Sequence, residues 1–293
     1  MTPQPPITPP SPAEASPLEA IPCPLCGGDT TGRRSYDFAP HRVVRCTGCG
    51  LWYLSPRLDE QAMRASYRED SYFEGEGPGY RSYQSQETTL RRTFRRFLGA
   101  LEARRMTGGD LLEVGCAYGY FLDEAAPWFE RRVGTEFSAR AAERARRRGD
   151  RVLLGGLEAL AGERFDVAAV IHVIEHVYDP VTFLTQLRGH LVPGGWAVVA
   201  TPEMGGFWRP LMGRRWPFFK IPEHVTYFDR QSLQRLFEAA GYREAQPVPY
   251  VSSFSLQMIA EKLGRSAPTA LASRALPLPA TTLAMAARAP RSG

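Results

Sequence analysis

The chain has 293 residues, enough for one α/β domain of ordinary size plus a small extra module. Its 43% hydrophobic and 23% charged residues read as a globular protein, and no apolar run approaches the roughly 18 residues of a membrane helix, so no membrane partner is expected. The net charge is +5, yet all but Lys220 and Lys262 of the 36 basic residues are arginine, which is read as a compositional bias with solvated arginines rather than a nucleic-acid footprint.

Residues 1–20 are rich in Pro, Ser and Ala and bury too little apolar surface to offset the entropy of ordering, so a disordered tail is expected. It holds no basic stretch followed by an apolar one, hence no secretory signal. Residues 21–55 carry two pairs, Cys23-Pro-Leu-Cys26 and Cys46-Thr-Gly-Cys49. Paired CxxC turns offer four thiolates to one tetrahedral ion, so this segment is predicted to be a zinc ribbon with a closed, structural Zn2+ site. Gly27 and Gly50 follow the second cysteine of each pair, as tight metal knuckles require. Zinc would replace a core too small to hold so short a segment together, and the ribbon is expected to have a core separate from the rest. Metal-binding cysteines rather than disulfides place the protein in a reducing cytoplasm. Residues 56–85 read as a connecting helix and an aromatic loop, in which Tyr80 and Tyr83 are candidate substrate-binding residues.

From residue 86 to the end the pattern is that of one larger domain. Leu90, Phe94, Phe97, Leu98 and Leu101 mark an amphipathic helix over 86–106. Strands and helices then alternate. Strands are predicted at 111–114, 132–136, 152–154, 165–171 and 196–200, and helices near 119–127, 139–148, 181–191 and 232–240. Residues 281–288 are favoured as a final strand over a low-complexity tail. The alternation implies α/β architecture: a doubly wound, mostly parallel sheet whose ligands bind beyond the carboxyl ends of the strands.

Glu113-Val-Gly-Cys-Ala-Tyr-Gly119 joins the first of these strands to a helix, so Glu113, Gly115, Cys116, Ala117 and Gly119 form a loop that a ligand can approach closely. Glu136 ends the second strand, where its carboxylate can accept both hydroxyls of a ribose. Cys116 is read as a small packing residue rather than a nucleophile. The spacing of a dinucleotide-binding loop fails, because Ala117 and Tyr120 stand where glycines are needed.

These segments, with Phe165–Pro180 and Leu191–Glu203, resemble in order the motifs of the class I S-adenosylmethionine-dependent methyltransferases. The resemblance implies a seven-stranded Rossmann-like sheet and S-adenosylmethionine as cofactor. It places Glu113 and the glycines around the methionine part, Glu136 at the ribose, and Leu157 and Glu158 at the adenine. Ala117 departs from the glycine of many members, which implies an altered loop geometry rather than lost binding.

His172, Glu175 and His176 follow the fourth strand, beside the expected methyl group. His172 and His176 are candidate general bases, with His176 preferred for lying farther along the loop, and loop bracing is the alternative. The ubiquinone-pathway O-methyltransferases look similar here and use acidic and histidine ligands for a divalent ion in this loop. This chain has His172 where that family has Glu. His224, in an aromatic and proline-rich loop, is a further candidate for substrate binding. The leading function is methyl transfer to an oxygen or carbon of a small molecule such as a sugar, lipid head group or secondary metabolite. The alternatives are an RNA methyltransferase and a catalytically inactive methyltransferase-fold binding protein. Nucleic acid is not the favoured partner.

Overall fold

The structure, a computed structural model, describes residues 18–28, 35–67, 83–262 and 274–291. Tyr80 and residues 1–17 of the expected tail lie outside the described residues. The N-terminal module comprises β1 (Leu18–Glu19), β2 (Ser35–Phe38), β3 (His41–Arg45), β4 (Trp52–Leu54), β5 (Arg57–Leu58) and the helix α1 (Glu60–Tyr67). Its two knuckles repeat one pattern. Cys23 N donates to Gly28 O and Gly27 N to Cys23 O, while Cys46 N donates to Leu51 O and Gly50 N to Cys46 O. The four cysteine sulfurs lie within 4.8 Å of one another.

The larger domain starts with α2 (Glu87–Glu102), which buries Thr89, Thr93, Phe94, Phe97, Leu98 and Leu101 on one face. There follow β6 (Asp110–Val114), α3 (Tyr120–Glu124), β7 (Arg131–Glu136), α4 (Ala139–Ala145), β8 (Arg151–Leu154), β9 (Phe165–Ile171), α5 (Pro180–Gly189) and β10 (Leu191–Pro202). After these come α6 (Trp208–Met212), β11 (Thr226–Tyr227), α7 (Arg230–Ala239), β12 (Arg243–Pro247), β13 (Ser252–Ser255), α8 (Leu256–Lys262), β14 (Ala275–Leu278) and β15 (Thr282–Arg288). Seven strands form the central sheet in the order β12-β15-β10-β9-β6-β7-β8. β8, β7, β6, β9 and β10 run parallel, and β15 is antiparallel to both β10 and β12. β9 is buried at every position but Asp166, as a strand covered on both faces should be. The strand order reverses between β6 and β9, so the loops after these two strands open the crevice where a ligand sits.

Caps fix where the helices enter. Ser138 accepts from Ala141 N ahead of α4, Asp179 accepts from Thr182 N ahead of α5 with Pro180 in the first turn, and Asp229 and Ser232 form a reciprocal capping box on α7. β10 begins at Leu191, so Pro193-Gly194-Gly195 is an irregularity inside the strand and not a stop before it.

The expectation of two separate cores is not met. The small sheet has the order β11-β4-β3-β2, so its outermost strand comes from residue 226, far along the larger domain. Cys23, Cys46, Cys49, Leu51 and Tyr53 share one buried cluster with Phe228, Leu233, Leu236 and Phe237 of the larger domain. About 35 residues cannot enclose a core of their own, so the ribbon uses its neighbour's.

Candidate active site

Gly115, Ala117 and Gly119 all have positive φ, at 71°, 48° and 75°. At Gly115 any side chain is excluded: a Cβ would lie 2.6 Å from Val173 Cγ2, in the loop after β9. Ala117 adopts the left-handed turn despite its methyl group. Its amide donates to Glu136 Oε2 at 2.9 Å, and Ser138 N donates to Glu136 Oε1 at 2.9 Å. The carboxylate at the end of β7 therefore holds the loop after β6, and a ribose would meet it there. Cys116 is 2% exposed and packed in the core, with burial pushing its thiol up, which suits packing rather than chemistry.

Glu113 is 4% exposed, and its Oε2 has no hydrogen-bond partner among the described residues. Burial raises its carboxyl well above the ordinary value, and the nearby Glu136 adds to the rise. A buried carboxyl facing a second one, with an orphaned oxygen, fits a site that receives a cation from its ligand, as the ammonium of S-adenosylmethionine would supply. Leu157 is buried in the core, and Glu158 is exposed and folds back to accept from Gly156 N at 2.7 Å. Phe137, 69% exposed, overhangs Gly156, where a Cβ would lie 3.0 Å from its Cζ. These residues frame the slot beside Glu136. Phe137 went unread in the sequence, although its place directly after the ribose carboxylate was a usable signal. Tyr83 stacks on Tyr120 with ring centroids 5.5 Å apart and meets Tyr118 edge-on, so it covers the cofactor loop from outside.

Glu136→Ala should weaken S-adenosylmethionine binding by about tenfold or more, because it removes both the charged partner of the ribose and the clamp on Ala117. Calorimetry checks this; unchanged affinity would remove Glu136 from the site.

The loop after β9 holds the polar cluster. His172 has φ of 54°, a strained conformation for a non-glycine residue, and its Nδ1 lies 3.2 Å from Glu175 Oε1. Glu175 is 1% exposed, and its other oxygen accepts from Thr201 Oγ1 at 3.0 Å. Burial alone would raise the Glu175 carboxyl, but the His172 hydrogen bond and the neighbouring imidazoles outweigh it and hold it at about 2. The His172 side chain is 36% exposed, and a buried carboxylate lies against its Nδ1. His176 is placed differently. Its Nδ1 lies 3.1 Å from Glu223 O, and its ring stands perpendicular to that of His224 at 4.6 Å. His224 is 2% exposed, and its Nδ1 has no hydrogen-bond partner among the described residues. Glu175, His176 and His224 present ligand atoms within 4.8 Å of one another, a set a divalent ion can use.

Burial lowers both His176 and His224, the latter far below the ordinary value, with each other's proximity contributing at His224. The unfolded chain takes up protons below about pH 6.5 that the folded pair refuses. Stability should therefore fall as the pH drops through that value, by up to about 1.4 kcal/mol per pH unit for each histidine. Urea unfolding between about pH 7 and 5.5 measures the slope. A His224→Gln variant should show a shallower one; equal slopes would contradict the assignment.

Ribbon residues reach this loop. The Arg57 guanidinium lies 4.0 Å from the Tyr178 ring centroid and donates to Tyr178 O, while Tyr178 Oη donates to Leu58 O. On the other side, Leu54 N donates to Val225 O, next to His224. The cysteine set fits zinc: Sγ–Sγ distances of 3.4 Å (Cys23–Cys49) and 3.5 Å (Cys26–Cys46) approach the roughly 3.8 Å that a tetrahedral Zn–S length of about 2.3 Å implies.

Comparison with known proteins agrees with this geometry. A family model described as a methyltransferase domain matches residues 83–246. A probable S-adenosylmethionine-dependent methyltransferase of Mycolicibacterium smegmatis is 33% identical over 144 residues, covering 48% of this chain and 54% of the relative. A ubiquinone biosynthesis O-methyltransferase of Cereibacter sphaeroides is 30% identical over 123 residues, covering 39% and 50%. The chain thus spans about half the length of the curated relatives it matches. Among solved structures, a Haloferax volcanii methyltransferase complexed with the activator Trm112 aligns with a TM-score of 0.54 at 17% identity, over 78% of this chain and 98% of that one. A Thermotoga maritima S-adenosylmethionine-dependent methyltransferase aligns at 0.51 and 23% identity, over 70% and 93%; at these identities both show the fold alone. A seven-stranded sheet with a glycine loop after β6 and an acid ending β7, matched by the family model over more than half its length, makes this chain a member of the class I S-adenosylmethionine-dependent methyltransferases, with a four-cysteine cluster at its N-terminal end that fits a zinc ribbon.

Proposed function

We propose that the protein methylates a hydroxyl oxygen of a small molecule, with His172 as the general base and Glu175 as the carboxylate that orients it. The observation that carries this reading is the Glu175–His172 pair at the end of β9, beside the cofactor loop. S-adenosylmethionine supplies an electrophilic methyl group, so the chain's task is to position the acceptor and take its proton. Glu175 Oε1 accepts from His172 Nδ1, so Nε2 is the ring nitrogen left to act on the acceptor. It can accept the hydroxyl proton as the oxygen turns nucleophilic. The ubiquinone O-methyltransferases among the relatives support oxygen as the acceptor atom.

A second reading has its own observation. Glu175, His176 and His224 could together hold a divalent ion that lowers the acceptor hydroxyl's pKa. The two readings make different use of Glu175. Transfer that survives a chelator too weak to strip the ribbon favours the base; transfer lost and restored by added Mg2+ or Mn2+ favours the ion. The broader test supplies labelled S-adenosylmethionine to separated small-molecule, RNA and protein fractions of a cell extract. Label in the small-molecule fraction is expected. Label in RNA alone would replace this reading with the nucleic-acid one, and no label anywhere would favour an inactive binding protein.

A further inference from the structure

β12 runs parallel to β10, so its carboxyl end opens on the same edge of the sheet as the loops after β6 and β9. Tyr250 stands just past that end, between β12 and β13. The residue is 7% exposed. Phe97 of α2 packs on one side with ring centroids 4.7 Å apart, and the His172 ring meets it edge-on at 6.3 Å. It belongs to the same buried cluster as Cys116 and Tyr118 of the cofactor loop and Ile171 at the end of β9. Burial, with the Glu113 and Glu175 carboxylates adding to it, pushes the Tyr250 hydroxyl up.

A ring packed against Phe97 and His172, in one cluster with Cys116 and Tyr118, lies where the loops after β6 and β9 come together. The strand order reverses between β6 and β9, so the cofactor and its reacting sulfur are expected beside these two loops. In S-adenosylmethionine that sulfur is a cation, and after transfer it is a neutral thioether. The face of an aromatic ring attracts a ligand cation and gains little from a thioether. We propose that Tyr250 is a cofactor-binding residue that seats the sulfonium and its methyl group, so that the site prefers the methylated cofactor over the demethylated product. The preference would help product leave after each turnover. This inference rests on S-adenosylmethionine as the cofactor.

Calorimetry with S-adenosylmethionine and S-adenosylhomocysteine on the intact protein tests it. Tyr250→Leu should weaken the methylated ligand about three- to tenfold more than the product, and Tyr250→Phe, which keeps the ring, should preserve the wild-type ratio. Equal weakening of both ligands by Tyr250→Leu, or no change, would overturn the proposal, since simple packing predicts one or the other. A measurement on the wild-type protein stands even if Tyr250→Leu folds poorly. Bound S-adenosylmethionine carrying a 13C-methyl group should show a methyl proton resonance shifted upfield by the ring, and the shift should persist in Tyr250→Phe. A bound methyl resonance without that shift places the ring elsewhere and overturns the proposal. If the folded protein binds neither ligand, the cofactor reading fails along with it, an outcome distinct from binding without discrimination.

Discussion

His172→Ala is expected to lower the maximal methyl-transfer rate by at least about 10²-fold while leaving S-adenosylmethionine affinity nearly unchanged. The residue's Nδ1 is engaged by Glu175 and its side chain is partly exposed, so on the proposed reading its loss removes a proton acceptor and not a cofactor contact. Added imidazole should restore part of the rate to His172→Ala, and Glu175→Gln should lower the rate by disturbing the tautomer rather than by removing the base. His176→Ala serves as the control. Reading along the chain favoured His176, because it lies farther past the strand. The structure instead engages its Nδ1 side with the Glu223 carbonyl and sets its ring against His224. If His176→Ala abolishes transfer at intact cofactor affinity while His172→Ala does not, the roles revert to that first assignment.

Cys46→Ser is expected to remove the zinc we assign to the ribbon and to destabilise the whole protein, by more than about 4 kcal/mol, beyond the range of ordinary point substitutions. Separate cores would have confined the damage to the ribbon. Cys46 instead shares a buried cluster with Phe228, Leu233 and Phe237, and β4 pairs with β11 two residues past His224. Loss of the ion should therefore loosen the histidine loops as well. Scanning calorimetry with metal analysis decides it: the expected variant shows one transition at a much lower temperature and no bound zinc. A variant that loses zinc yet keeps a main transition at the wild-type temperature would show two independent units after all.

The parallel core was legible because its signals are local. Phe165–Ile171 is apolar at every position but Asp166, Gly115 and Gly119 punctuate the first turn, and even the last strand, read as 281–288, is observed at Thr282–Arg288. What escaped reading is long-range or short. β11 has two residues, too few for any periodicity, and its pairing with β4 spans most of the chain. β12 is Arg-Glu-Ala-Gln-Pro, polar enough to pass for a loop, and β13 and β14 are exposed or half-buried over much of their length. Tyr250 went unnoticed for the same reason. Its importance comes from the ends of β9 and β12 arriving at one place, a fact of topology and not of neighbouring residues. The histidines were visible as chemistry, but only the turn at His172 decides which of them has a carboxylate behind it.

The order in which the small sheet is completed has a consequence for biosynthesis. Trp52, Tyr53 and Leu54 are all buried in the finished protein, and one edge of their strand is closed only by Thr226–Tyr227. At about 5–20 residues per second, a ribosome takes many seconds to deliver that partner after β4 has emerged. Throughout that interval the nascent chain carries a short apolar strand with an unpaired edge, the kind of surface that recruits other chains. Zinc binding at the two knuckles would brace the hairpin but leave this edge open. The ribbon's own strands are made well before the one that completes their sheet, so this edge needs shielding from neighbouring chains until Thr226–Tyr227 has arrived.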